Sequence, residues 1–78
     1  MAGEDLTAEY DRFETGGDFA HFQRLVSASP DFEEVPVRAP YSNDLGFVER
    51  WYRHGATQRM YRLVEPDGPF RGLWQIVR

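Results

Sequence analysis

Apolar residues recur along this chain with two different periods. Near its start, Leu6, Tyr10 and Phe13 fall at i, i+4 and i+7, with Glu9, Asp11, Arg12 and Glu14 on the remaining positions. That spacing predicts a helix from about Asp5 to Phe13 with one apolar stripe. Acids early in it would complement the helix dipole. Thr15-Gly16-Gly17 predicts its end, because glycine accepts the left-handed geometry of a C-terminal cap. Asp18 then reads as the N-cap of a second helix reaching about Ala28, with Phe19, Phe22, Leu25 and Val26 on one face. Ser29-Pro30 closes it, since a residue before proline is pushed out of the α region.

Beyond Pro30 the period shortens to two. In Phe32–Arg38 the alternation of Val35 and Val37 with polar neighbours predicts a strand, and Pro36, which cannot donate to a ladder, places it at a sheet edge. Ala39 to Asp44 is a loop by composition. Leu45–His54 fits either pattern. Phe47, Val48, Trp51 and Tyr52 could line a helix, or Val48 and Tyr52 could share one strand face with Phe47 and Trp51 on the other. Gly46 and the aromatic density favour the strand. Two β-rich runs follow, Gln58–Glu65 and Phe70–Val77, around Pro66-Asp67-Gly68-Pro69, and this predicts a hairpin. In the last run Phe70, Trp74 and Ile76 share one face and Leu73 and Val77 the other, so the final strand should be covered on both sides, as a central strand is. The resulting expectation is a single α+β domain over residues 1–78. Two N-terminal helices pack on an antiparallel sheet of three or four strands, in the order α-α-β-(β or α)-β-β.

Length matters to this picture because a core from fewer than roughly 80 residues seldom supplies more than about 3–5 kcal/mol. Disulfides cannot help, since the chain has no cysteine, and His21 and His54 are too few and too far apart for a zinc site. Aromatic packing and self-association remain, so a homo-oligomer is one expectation. Absence of cysteine fits a reducing compartment, and cytoplasm is the expected location. The acidic start lacks the apolar stretch of a secretory signal, and no apolar run approaches membrane-spanning length.

Charge is segregated along the chain. Residues 1–39 hold nine acids and three arginines, whereas residues 40–78 hold four acids and six arginines, within a total of −4. Every basic residue is arginine. The planar guanidinium suits bidentate pairing and stacking on rings, as well as reflecting codon usage.

Candidate chemistry is sparse. No nucleophile elbow, phosphate loop, His-Glu-x-x-His or dinucleotide spacing occurs, and neither histidine has a recognisable partner beyond Asp18, one turn from His21. Glu33-Glu34 and Ser42-Asn43-Asp44 lack the alternating acids and glycine of a calcium loop. No catalytic residue, metal or cofactor is therefore assigned, and an enzyme of this size would need a pocket between subunits.

Binding readings draw on the C-terminal half, where Arg50, Arg53, Arg59, Arg62, Arg71 and Arg78 lie among Trp51, Tyr52, Tyr61 and Trp74. That composition matches protein interfaces, which are rich in Trp, Tyr, Phe, Met and Arg and poor in Lys. The expected function is a non-catalytic module that binds another protein, in an accessory, regulatory or inhibitory role. Trp51, Tyr52, Arg53, Arg59, Tyr61 and Arg62 are the expected contacts. Arginines and aromatics on a sheet also suit nucleic acid. In that vein Gly46-Phe47-Val48-Glu49-Arg50, Arg59-Met60-Tyr61-Arg62-Leu63 and Asp67-Gly68 resemble the wing hairpin of winged-helix regulators. The resemblance implies a recognition helix directly before the wing, where this chain has the proline-punctuated stretch Pro30–Asp44.

Overall fold

The computed structural model describes residues 5–42 and 44–78; Met1–Glu4 and Asn43, within the loop expected at Ala39–Asp44, lie outside the described residues. One helix, α1 (Gly16–Ala28), precedes four strands: β1 (Phe32–Val35), β2 (Glu49–His54), β3 (Met60–Val64) and β4 (Leu73–Ile76). The strands form one antiparallel meander in the order β1-β2-β3-β4. The architecture is α+β.

The helix starts earlier than its sequence suggests. Thr15, in extended geometry, is the N-cap, and its hydroxyl accepts the Asp18 N–H at 3.0 Å. Asp18 is thus displaced from the cap to the third helical position, where its charge still meets the dipole. Gly16 and Gly17 open the helix instead of ending an earlier one. Phe19, Phe22 and Val26 are its buried residues.

The helix expected at Asp5–Phe13 does not form. This segment is an irregular strap, with a turn at residues 6–8, that runs along the outer edge of β4. Tyr10 and Trp74 exchange both backbone hydrogen bonds at 2.8 Å, and the Phe13 N–H donates to the Arg71 carbonyl. A nine-residue helix is marginal in water, so tertiary partners decide its fate. Here they take over the carbonyls that a helix would use internally. The Leu6 carbonyl, which a helix would offer to the Tyr10 N–H, accepts the Trp74 indole N–H at 2.9 Å. The Thr7 carbonyl accepts the Tyr61 hydroxyl at 3.1 Å. Glu9 accepts from the Ile76 N–H and from both terminal nitrogens of Arg78, each at 3.0 Å. The 3.6-residue stripe was real, but Leu6, Tyr10 and Phe13 pack in or against the core from a non-helical strap.

Strand alternation divides the sheet into two faces. Tyr52 pairs with Tyr61 in register, Leu63 with Trp74 and Tyr61 with Ile76, so these residues point together toward α1. Trp74 is fully buried at their centre, stacked on Tyr61 at 4.9 Å and edge-on to Phe22 at 5.2 Å. Aromatic pairs of this geometry contribute about 0.5–1.5 kcal/mol each beyond their area. They supply the aromatic staple that a cysteine-free domain of this size needs.

The far face carries Trp51, Arg62, Val64 and Leu73, and it is covered by the chain between β1 and β2. Val64 is fully buried there, and Trp51 and Leu73 are each 5% exposed. The ambiguous segment Leu45–His54 resolves as a strand from Glu49 onward. At the edge, β1 ends at Val35, before the expected Arg38, because Pro36 cannot extend the ladder. Four residues bearing Glu33 and Glu34 make a short, charged edge, the usual protection against strand addition.

The final strand is not central. It is the last of the four, and the strap covers its outer edge. The β3–β4 hairpin turns at Gly68-Pro69, where Asp67 and Phe70 exchange backbone bonds at 3.0 Å and Gly68 takes φ 60°. Gly72, at φ 78°, then interrupts the alternation. Phe70 consequently leaves the Trp74 face on which its spacing places it and stacks on Phe47. No helix among the described residues is long and apolar enough to cross a membrane.

Candidate functional site

The six expected contact residues do not form one surface. Tyr52 and Tyr61 are each 1% exposed and belong to the core under α1. Trp51 is buried on the opposite face, where its indole N–H donates to Glu49 at 2.6 Å. Arg62 lies in the same layer, its guanidinium 5.5 Å from the Trp51 ring centroid and 5.7 Å from that of Tyr41. Arg53 pairs with Glu33, directly opposite it in the β1–β2 register. Arg59 is exposed beside the β2–β3 turn. The cause of this dispersal is simple. Successive strand residues point to opposite faces, and both faces are covered, one by the helix and one by the β1–β2 connection.

Other cations in the C-terminal half are also matched. Arg50 bonds Glu34 at 3.2 Å, Arg71 lies 3.8 Å from Glu14 and donates to the Phe13 and Glu14 carbonyls, and Arg78 binds Glu9. The acids of residues 1–39 and the arginines of residues 40–78, separated in sequence, meet across the fold. Glu9 responds to this. Hydrogen bonds from Arg78 and the Ile76 N–H, then the Arg78 charge, hold its carboxyl below the usual glutamate value. The Thr7 hydroxyl and N–H do the same for Asp5.

The histidines serve local structure. His54 Nδ1 lies 2.8 Å from the Thr57 hydroxyl in the β2–β3 turn, where Gln58 adopts φ 64°. His21 lines a shallow groove of about 260 Å³ between strap and helix, together with Asp18. Among the described residues, no group of three or more acids and histidines is placed to hold a metal ion.

What remains exposed lies elsewhere. The large apolar side chains open to solvent among the described residues are Val37, Tyr41, Leu45 and Val48, and all belong to the β1–β2 connection. Leu45 is 65% exposed and Val48 54%. This connection is held in place by the Tyr41 N–H donating to Glu49 at 2.7 Å and by the Glu65 N–H donating to the Val48 carbonyl at 2.9 Å. Its rings meet the β3–β4 turn. Phe47 stacks on Phe70 with centroids 4.3 Å apart and planes 15° apart, and Tyr41 stacks on Phe70 at 6.0 Å and 22°. Leu45, Tyr41, Phe47, Pro69 and Phe70 line an open groove of about 470 Å³, with Asp67 as its charged member.

Sequence reasoning passed over these residues because aromatic density drew attention to the strands. A usable signal was present, however. Tyr41 and Leu45 belong to neither period in a stretch punctuated by proline, serine and glycine, so no regular element would bury them. Compared with known proteins, the chain matches no family model, no curated protein and no solved structure.

Proposed function

We propose that this chain is a non-catalytic protein-binding module that engages its partner through the patch formed by Tyr41, Leu45, Phe47, Pro69 and Phe70. One observation carries this reading: the exposed large apolar side chains of the described residues fall on a single connection, backed by a stack of three rings. Single exposed apolar residues are ordinary on any surface, but a contiguous group marks an interaction site. The ring stack keeps the patch in shape before binding, which lowers the ordering cost that association must overcome. Aromatic anchors in a shallow pocket are the usual centre of a protein interface.

A nucleic-acid role draws less support. Arg50, Arg53, Arg62, Arg71 and Arg78 each have a carboxylate within 4 Å, which offsets the charge that phosphate would need. The segment before β2 is the apolar connection, so the winged-helix resemblance lacks its reading element.

The test uses Leu45→Glu and Leu45→Lys, which place charge on the patch without touching either core. Proteins recovered on the immobilised wild-type chain would be identified and reconstituted as purified binary complexes. Both variants should keep the wild-type thermal unfolding midpoint and lose the complex at least tenfold in affinity. A reconstituted complex indifferent to both changes would rule the patch out.

A further inference from the structure

We infer that the groove's occupant is a cationic side chain, arginine above lysine, presented by an extended apolar segment of the partner protein; this rests on the protein-binding reading above. The groove combines three features that together select such a group. Its walls are aromatic and aliphatic, from Tyr41, Leu45, Phe47, Pro69 and Phe70. Ring faces carry the negative end of the aromatic quadrupole and attract a cation. Its one charged lining residue is Asp67, and Asp44, exposed, adjoins Leu45 in the chain. Among the described residues no side chain bonds the Asp67 carboxylate. Arg38 is exposed in the same connection but does not line the groove.

The molecule already uses this arrangement once. The Arg62 guanidinium lies against the rings of Tyr41 and Trp51, with its Nε 3.4 Å from the Glu49 carboxylate. The groove brings together the same ingredients, the rings of Tyr41, Phe47 and Phe70 and the carboxylate of Asp67. A volume of about 470 Å³ falls in the range of ligand pockets and accommodates a long side chain with part of an apolar neighbour. Aliphatic walls suit the methylene stem of arginine or lysine while the head reaches a carboxylate. Arginine is favoured because its planar fork both stacks on rings and pairs bidentately with carboxylate. The net charge of −4 draws cationic segments in from a distance.

The test is a nuclear magnetic resonance titration of the full chain with four peptides, Gly-Leu-Xaa-Leu-Gly, in which Xaa is Arg, Lys, Gln or Glu. The Arg peptide should shift Tyr41, Leu45, Phe47 and Phe70 signals saturably, with Lys weaker. The Gln peptide should bind about fivefold or more weakly than Arg, and the Glu peptide least. Asp67→Asn keeps the backbone pairing of the turn and should erase the preference of Arg over Gln. Equal binding of the Arg and Gln peptides in the groove would overturn the cationic assignment. So would shifts outside the groove, or no shifts at all. Groove signals that move with protein concentration alone would replace the peptide by a second copy. In each of these cases the Leu45→Glu experiment decides separately whether the patch binds protein.

Discussion

Arg62 and Glu49 form an ion pair inside the sheet's outer layer, with Nε 3.4 Å from Oε2 and side chains only 12% and 5% exposed. The Arg62 Nε is buried, and the geometry gives it no hydrogen bond. Glu49 meanwhile accepts from the Tyr41 N–H and the Trp51 indole, so one carboxylate joins strand, ring and connection. Breaking a buried pair on one side costs about 3–5 kcal/mol, whereas replacing both partners by apolar groups is often neutral. Glu49→Ala should therefore lose most of the domain's stability in urea melts. Glu49→Leu combined with Arg62→Met should recover only part of that loss, because the Tyr41 N–H and the Trp51 indole N–H are left without their acceptor. A single variant that melts like wild type would show the pair to be dispensable.

Exposure separates the two aromatic-rich regions energetically. Trp51→Ala should cost about 3–5 kcal/mol, the usual loss for a buried tryptophan, because its ring packs under the β1–β2 connection. Leu45→Ser should change stability by less than about 0.5 kcal/mol, as for ordinary surface positions. Denaturant midpoints of both variants check the contrast, and a large loss at Leu45 would move that residue into the core.

Acid should loosen the strap. Glu9 and Asp5 both have folded-state values held below their ordinary ones, 4.5 and 3.8, chiefly by Arg78 and by Thr7. A depressed carboxyl stabilises the fold fully above its ordinary value and loses that contribution as pH falls through the folded value. Both groups lie at the surface, so the effect is local and weakened by salt. The Ile76 amide and Trp74 indole resonances should move together below about pH 4.5, and Glu9→Gln should flatten the Ile76 titration.

Two glycines should respond oppositely to alanine. At Gly72, with φ 78°, an added Cβ would sit 2.8 Å from the Val64 carbonyl oxygen and 3.0 Å from Pro66 Cδ. That clash adds to a left-handed backbone, and the substitution should destabilise by more than about 1 kcal/mol. At Gly16, the first helical residue, nothing lies within 4 Å of the new methyl. Alanine there should stabilise by about 0.4–1 kcal/mol through the unfolded state. Thermal melts showing the same sign at both sites would contradict this account.

Much of the architecture was legible in local signals. The stripe Phe19, Phe22, Val26, the stop at Ser29-Pro30, the edge position of the strand that Pro36 ends and the hairpin around Asp67-Gly68 each follow from the geometry of a few neighbouring residues. Such signals survive folding because they concern the chain's own dihedral angles and its nearest hydrogen bonds. The same chemistry set the character of the charge pattern, acids early and arginines late, though not its use.

Long-range partners decided the rest. Leu6, Tyr10 and Phe13 keep the spacing of a helix, but carbonyls in their segment are claimed by Trp74 and Tyr61, more than fifty residues away, and by the β4 edge. Trp51 and Tyr61 look alike on paper as interface anchors; burial of both faces of the sheet removes them from the surface and leaves Leu45 and Val48 in their place. Local spacing encodes which residues could share a face. Only the covering of each face, a property of the whole chain, determines which ones meet water.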